Sequence, residues 1–214
     1  MSQQLRDLQH PWFARVYERI SRAAEGAGVA EHRDRLLAGL TGRVVEVGAG
    51  NGLNFAHYPG TVTEVLAVEP EDRLRGIAEG AVAEATVPVR VVAGRAEQLP
   101  VADGSCDAAV VSLVLCSVPD QHRALAEIHR ILRPGGELRF YEHVRSDRML
   151  LARAEDLVSP LWSRLAGGCH LNRDTAAAVP AAGFTVDTQD RFIFRPARFA
   201  AQAHILGRAH KHAA

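Results

Sequence analysis

Three glycines at alternate positions, Gly48, Gly50 and Gly52, follow a short apolar run that is rich in valine. Such a run is typical of a buried strand in a parallel sheet. Because glycine lacks a Cβ, the backbone after this strand can turn sharply and approach a ligand closely. Glu46 lies inside the apolar run, where a carboxylate is costly unless it is paired or hydrogen-bonded. The pattern predicts a nucleotide-like ligand at the carboxyl end of the first strand, where open α/β sheets bind their ligands.

The spacing of the glycines narrows the choice of ligand. It differs from the G-x-G-x-x-G of dinucleotide-binding folds, and the G-x-x-x-x-G-K-[ST] of a triphosphate-binding loop is absent at this turn. Residues 46–52, including Ala49 and Asn51, instead resemble the first motif of the class I S-adenosylmethionine (SAM) dependent methyltransferases. The simpler alternative is a tight turn that binds nothing.

A second apolar run, residues 65–68, ends in Glu69 and Pro70, and Glu69 lies 23 residues beyond Glu46. A carboxylate at the end of the second strand can accept hydrogen bonds from both ribose hydroxyls, as the corresponding acid does in dinucleotide folds. The resemblance implies that role for Glu69. The alternative is an exposed carboxylate at a strand end.

The segment after the third strand, residues 91–107, resembles the family's loop that covers the adenine. The acid that usually receives the adenine amino group is replaced here by Arg95. The resemblance therefore assigns adenine contacts to Ala96, through its backbone, and to Glu97.

Residues 107–144 continue the resemblance through strand four, a helix with apolar residues at helical spacing, the sequence Leu-Arg-Pro-Gly-Gly, and strand five. The implied fold is a Rossmann-like α/β domain with a seven-stranded, mostly parallel sheet, helices on both faces and an antiparallel last strand. The implied cofactor is SAM. The residues expected to bind it are Glu46, Gly48, Ala49, Gly50, Asn51, Gly52, Glu69, Pro70, Ala96, Glu97, Ser112 and Leu113.

Composition limits the remaining possibilities. A chain of 214 residues with 47% hydrophobic residues fits one globular domain. Its formal net charge of zero argues against a broad nucleic-acid surface, which needs a basic patch. The N-terminal residues are polar, so we expect no signal peptide. No apolar run reaches about 20 residues, so we expect no membrane span.

The cysteines and histidines give no metal-binding pattern. The three cysteines form no Cys-x-x-Cys pair, and their sparse, odd count indicates reduced thiols in the cytoplasm. None of the ten histidines has a spacing to other histidines or acids that is typical of metal ligands. The sequence therefore predicts no metal site.

The remaining elements follow from hydrophobic periodicity and turn residues. We expect an N-terminal helical cap over residues 1–40 and a SAM-binding domain over residues 41–214, together one domain. Further predictions are a helix beginning at residues 53–57, helices over 71–84, 147–165 and 175–182, strands over 184–187 and 192–194, and a frayed tail from residue 207. Pro160 is expected to kink the helix over 147–165.

Residues 112–118, 142–144 and 160–175 resemble a narrower group, the methyltransferase-like thiol S-methyltransferases. This resemblance spans roughly residues 36–209. The animal members carry an N-terminal hydrophobic membrane anchor, and we expect none here. The resemblance implies transfer of a methyl group to the sulfur of a small-molecule thiol by direct in-line displacement.

A thiol accepts a methyl group as its thiolate, so a nearby base or cation would help the reaction. His143, at the end of strand five, is the first candidate base, and His170 is the second. Tyr17, on an N-terminal helix, is a candidate for the substrate pocket. For each histidine the alternative is a structural hydrogen bond. Cys116 and Cys169 are interpreted as apolar residues that line the pocket.

Two other functions fit the same motifs. The chain would fit an O-, N- or C-methyltransferase of a metabolite, lipid or quinone, which would methylate phenols or amines and leave thiols unchanged. A SAM-binding module without catalysis is a third alternative, and the intact glycines and acids of the cofactor motif argue against it.

Overall fold

The computed structural model describes residues 3–195 and 201–213. Its strands are β1 Gly42–Val47, β2 Val62–Val68, β3 Val89–Val92, β4 Cys106–Ser112, β5 Leu132–His143, β6 Phe184–Phe194 and β7 Gln202–Lys211. Its α-helices are α1 Gln3–Arg6, α2 Pro11–Ala24, α3 Ala30–Leu37, α4 Asp72–Ala81, α5 Gln121–Ile131, α6 Met149–Leu165 and α7 Thr175–Ala181. No described helix is both long and apolar enough to cross a membrane.

The seven strands form one sheet in the order β3-β2-β1-β4-β5-β7-β6. All neighbouring pairs are parallel except those of β7, which runs antiparallel to both β5 and β6. The predicted fold is confirmed. The chain order reverses between β1 and β4, and this switch point is where open α/β sheets bind ligands.

The central strands β1 and β4 are buried on both faces of the sheet, since their alternate side chains point to opposite sides and both sides are covered. Val45 and Val111 pack with α5 and α7 in one apolar cluster. Val44 and Val110 pack with α3 and α4 in another. This double burial explains why β1 and β4 read as continuous apolar runs.

The last two strands differ from the prediction. Residues 184–194 form a single strand, and the segment predicted as a frayed tail is part of β7, inserted between β5 and β6. A Cβ on Gly207 would lie 2.4 Å from the carbonyl oxygen of Thr188 and 2.6 Å from the Phe140 ring. Glycine at this position thus permits close packing of β7 between β5 and β6. The histidines and charged residues of β7 are not typical of a buried strand, so the sequence did not indicate it.

The predicted crossover helix after β1 was also wrong. Residues 55–57 form one 3₁₀ turn, and Tyr58 is extended before Pro59, since a residue before proline avoids the helical region. The N-terminal helical segment is interrupted between α2 and α3, where Gly28 has a φ of +112°. Helix α6 continues through Pro160, and Gly183, with a φ of +90°, follows α7 as predicted.

Candidate functional site

The glycine-rich turn lies at the end of β1, between β2 and β4. Gly48, Gly50 and Gly52 have φ values of +71°, +56° and +79°, which side chains with a Cβ rarely adopt. The amide groups of Gly48 and Ala49 donate to the Val68 carbonyl at 2.8 and 3.1 Å. These bonds hold the turn against the end of β2.

Glu46 is buried in β1 and is fully engaged by the loop that follows. Its two carboxylate oxygens accept hydrogen bonds from Asn54 Nδ2 and from the Tyr58 hydroxyl, each at 2.8 Å. Arg33 extends the network by donating to Asn54 Oδ1 at 2.6 Å. Burial raises the pKa of Glu46 to about 7, and the two hydrogen bonds oppose that shift. These contacts give Glu46 a role in positioning the turn.

Glu69 ends β2 with its carboxylate directed at the glycine-rich turn. Oε2 accepts the Gly50 amide hydrogen bond at 2.7 Å, and Oε1 accepts that of Glu71 at 2.9 Å. Burial raises the pKa of Glu69 to about 7. Pro70 contributes its carbonyl, which accepts a hydrogen bond from Gln9 Nε2 at 2.8 Å. The N-terminal segment is thereby fixed beside the end of β2.

Helix α2 lies across the same turn. A Cβ on Gly50 would be 3.4 Å from the ring of Tyr17, and Asn51 Nδ2 donates to Ser21 Oγ at 3.0 Å. Burial raises the pKa of the Tyr17 phenol, so its hydroxyl is neutral at physiological pH. Tyr17 therefore packs against the glycine-rich turn as a neutral hydrogen-bond donor and acceptor.

In the loop after β3, the Glu97 side chain forms contacts within the protein. The carboxylate of Glu97 pairs with Arg95 Nε at 3.0 Å and accepts from the Asp120 amide at 3.3 Å. Ala96 and Glu97 are both buried. Arg95, which stands where the family usually has an acid, thus neutralises the acid two residues later.

The end of β4 is strained and rigidly held. Leu113, which follows Ser112, has a φ of +60°, uncommon for a residue with a side chain and characteristic of functional sites. Glu142, fully buried in β5, accepts the amide hydrogen bonds of Val114, Leu115 and Cys116 at 2.9, 2.9 and 3.1 Å. Sequence reasoning missed Glu142, although an acid inside an apolar strand is the same signal that singled out Glu46.

Three potential metal ligands meet beside this turn. His143 Nδ1 lies 3.7 Å from Cys116 Sγ and 3.6 Å from Cys169 Sγ, and the two sulfurs are 3.8 Å apart. The Cys116 thiol and the His143 imidazole lower the pKa of Cys169 against the effect of its burial. Contact with Cys169 and burial raise the pKa of Cys116. We call Cys116, His143 and Cys169 the sulfur–imidazole cluster.

The two other histidines nearby do not join the cluster. The His170 amide donates to the Cys116 carbonyl at 2.8 Å, and burial lowers the pKa of its side chain. His204, in β7, packs against His143 with 4.5 Å between ring centroids. Burial lowers the pKa of His204 to about 3, so it is a neutral neighbour at physiological pH. The structure thus brings predicted His143 together with two cysteines that sequence reasoning had read as pocket lining.

Known proteins resemble this chain in sequence and in fold. Residues 45–140 match the family model described as "Methyltransferase domain". Human "Thiol S-methyltransferase TMT1A" is 36% identical over 155 residues, and human "Thiol S-methyltransferase TMT1B" is 33% identical over 181. These matches cover 70% and 82% of this chain but 63% and 74% of the human proteins.

A solved structure from Thermotoga maritima, described as a "SAM-dependent methyltransferase, possible histamine N-methyltransferase", has a TM-score of 0.70 and 25% sequence identity. The alignment covers 93% of this chain and 96% of that one. Fold and sequence comparisons therefore point to one superfamily and one cofactor, SAM.

Proposed function

Because the chain belongs to the class I SAM-dependent methyltransferases, we propose that it transfers the methyl group of SAM to the sulfur of a small-molecule thiol. The observation that carries the choice of sulfur is the 33–36% identity with relatives named thiol S-methyltransferases. The sulfur–imidazole cluster lies near the glycine-rich turn, which agrees with sulfur as the acceptor.

The cofactor is proposed to bind across the carboxyl ends of β1, β2 and β3. Each Glu69 oxygen accepts one backbone hydrogen bond and keeps a further lone pair for a ribose hydroxyl. The turn of residues 48–52 would border the cofactor, and Tyr17, which contacts that turn at Gly50, would lie beside it. Ala96 and Glu97 would border the adenine, while Ser112 and Leu113 would border the side that faces the acceptor.

The reaction itself needs little from the protein beyond positioning. The acceptor sulfur attacks the methyl carbon, the bond between that carbon and the sulfonium breaks, and its electron pair stays on the departing sulfur. The products are a methyl thioether and S-adenosylhomocysteine, and the thiol proton passes to solvent. Helix α2, which contacts the turn through Tyr17 and Asn51, would exclude water while the reactants are aligned.

We further propose that the protein works in the cytoplasm. All three cysteines are free thiols in the structure, and a reducing compartment would keep Cys116 and Cys169 in that state.

The test is incubation with SAM carrying an isotopically labelled methyl group and a panel of alkyl thiols, dithiols, phenols and amines, followed by mass detection of the products. We expect labelled methyl thioethers. Label found only on phenols or amines would overturn the choice of sulfur and favour the O- or N-methyltransferase alternative. Each thiol should be paired with the alcohol of the same carbon skeleton, so that shape and acceptor chemistry are separated.

A further inference from the structure

We infer that the sulfur–imidazole cluster binds a zinc ion and that the acceptor's thiolate occupies the zinc's fourth coordination position. The second half of this inference rests on the proposed function, whereas the first half does not. Among the residues that the structure describes, these three are the group whose ligand atoms all lie within 4.8 Å of one another.

The distances match a tetrahedral zinc centre. With Zn–S bonds of about 2.3 Å and Zn–N bonds of about 2.0–2.1 Å, tetrahedral angles place two sulfurs about 3.8 Å apart, and a sulfur and a nitrogen about 3.6 Å apart. The observed separations are 3.8 Å between the sulfurs and 3.7 and 3.6 Å from the sulfurs to Nδ1. One ion could therefore bind all three atoms without displacing them.

The ligand types indicate which metal binds and whether its site is catalytic or structural. Thiolates favour zinc over hard cations such as magnesium and calcium. Two cysteines and one histidine form a three-ligand set of the kind found in catalytic zinc sites, in which the fourth position remains for water or substrate. Structural zinc sites, in contrast, fill all four positions with protein ligands.

The fold brings the ligands together from three separate segments. Two hydrogen bonds fix Cys116: its backbone amide donates to the Glu142 carboxylate, and its carbonyl accepts from the His170 amide. Cys169 reaches Cys116 because the preceding turn packs closely: a Cβ on Gly168, whose φ is +89°, would lie 2.7 Å from the Ser117 carbonyl oxygen. Such support of the first coordination shell is expected at metal sites.

The cluster also adjoins the cofactor turn. Val114, two residues before Cys116, contacts the turn so closely that a Cβ on Gly48 would lie 2.5 Å from its Cγ2. Cys116 is buried and His143 is half-buried, so we place the acceptor on the side of the cluster where His143 lies. An acceptor thiol that binds there gives up its proton to solvent and is held as a thiolate next to the methyl donor.

The first experiment measures metal binding without catalysis. The full chain, reduced with a phosphine and freed of metal by a chelator, is reloaded with Zn²⁺ or Co²⁺, and bound metal is counted by elemental analysis after desalting. We expect one zinc per chain and thiolate-to-cobalt charge-transfer absorption. Cys169→Ser should weaken zinc binding by at least about a hundredfold, because loss of a direct ligand should cost no less than the roughly 10–100-fold cost of changing an outer-shell partner.

Cys106→Ala is the matched control, because Cys106 is buried in the core and is not part of the cluster. It should keep the zinc, and unfolding curves should show that both variants fold. Equal zinc binding by wild type and Cys169→Ser would overturn the metal site. So would wild-type protein that binds no zinc but forms a Cys116–Cys169 disulfide, since the pair would then be a redox couple.

The acceptor position has its own measurement. An alkyl thiol should change the cobalt absorption of the loaded protein without SAM, whereas the matching alcohol should not. Zinc bound as expected with no thiol methylated would contradict the proposed function and leave the metal site standing. Equal thiol methylation by zinc-free and zinc-loaded protein would contradict the metal's role but not the proposed function. So would a His143→Asn variant that keeps its zinc and loses turnover only at low pH.

Discussion

The proposed cofactor side of the sheet, at the ends of β1, β2 and β3, is built differently from the proposed acceptor side, which comprises residues 113–118 and 143–175. On the cofactor side the polar groups are buried and paired, as Glu46 and Glu69 show. On the acceptor side α6 exposes large apolar residues, with Leu157 83% and Leu150 78% exposed. The difference is that hydrogen bonds fix the polar groups on the cofactor side, whereas α6 presents exposed apolar surface on the acceptor side.

The largest effect that would test this comparison is expected from Gly48→Ala. The new methyl group would meet Val114 at 2.5 Å in a backbone with a φ of +71°. We expect a loss of about 2–5 kcal/mol in unfolding free energy, from strain and overpacking together, and a loss of SAM binding. Denaturant unfolding and calorimetry measure both.

Gly60→Ala is the control for that substitution, since nothing lies within 4 Å of its added Cβ and its φ is not positive. Its unfolding free energy should stay within about 0.5 kcal/mol of wild type. Similar losses in the two variants would mean that the turn of residues 48–52 is not specially constrained.

The next effect concerns pH. Burial raises the pKa of Glu46 from 4.5 to about 7, so the folded state keeps a proton that the unfolded state releases. The stability contributed by this group is therefore fully present below pH 4.5 and is lost as the pH rises to about 7. Relative to Glu46→Gln, wild type should lose up to about 3 kcal/mol over that window.

Unfolding measured at half-unit pH steps checks this prediction. Glu69 and Glu142 are present in both proteins, so their titrations cancel in the difference. A difference that does not vary with pH would mean that Glu46 ionises normally in the folded protein.

A smaller effect is expected from Glu69→Ala. Loss of charge-assisted hydrogen bonds to the ribose should weaken SAM binding by about 1–3 kcal/mol. Calorimetric titration with SAM measures it, and Glu79→Ala, an exposed position on α4, is the control. Unchanged affinity would mean that the ribose binds elsewhere.

The smallest effect on stability is expected on the acceptor side. Leu157→Ser should change the unfolding free energy by less than about 0.5 kcal/mol because the side chain is exposed. It should leave SAM affinity unchanged and raise the KM of an apolar thiol. A stability loss near the roughly 2–5 kcal/mol expected of Leu125→Ala in the core would show that α6 packs against something more than solvent.

The same comparison explains what sequence could predict. The glycine-rich turn and Glu69 are local patterns, in which a strand, a turn and an acid follow one another, and they are among the motifs that carry the family resemblance from which the fold class was expected. The pairing of Cys116 with Cys169 joins residues 53 positions apart through a contact that no local pattern encodes. Strand β7 was missed for a related reason, since its burial depends on neighbours on both sides instead of on its own composition.

The insertion of β7 between β5 and β6 also has a consequence for how the molecule is made. Ribosomal synthesis delivers β6 before the strand that joins it to the rest of the sheet. Until residue 211 has emerged, β5 presents an open edge and β6 lacks its partner, and open strand edges are where nascent chains associate wrongly. The sheet can therefore be completed only after β7, the last strand to be synthesised, has been inserted between β5 and β6.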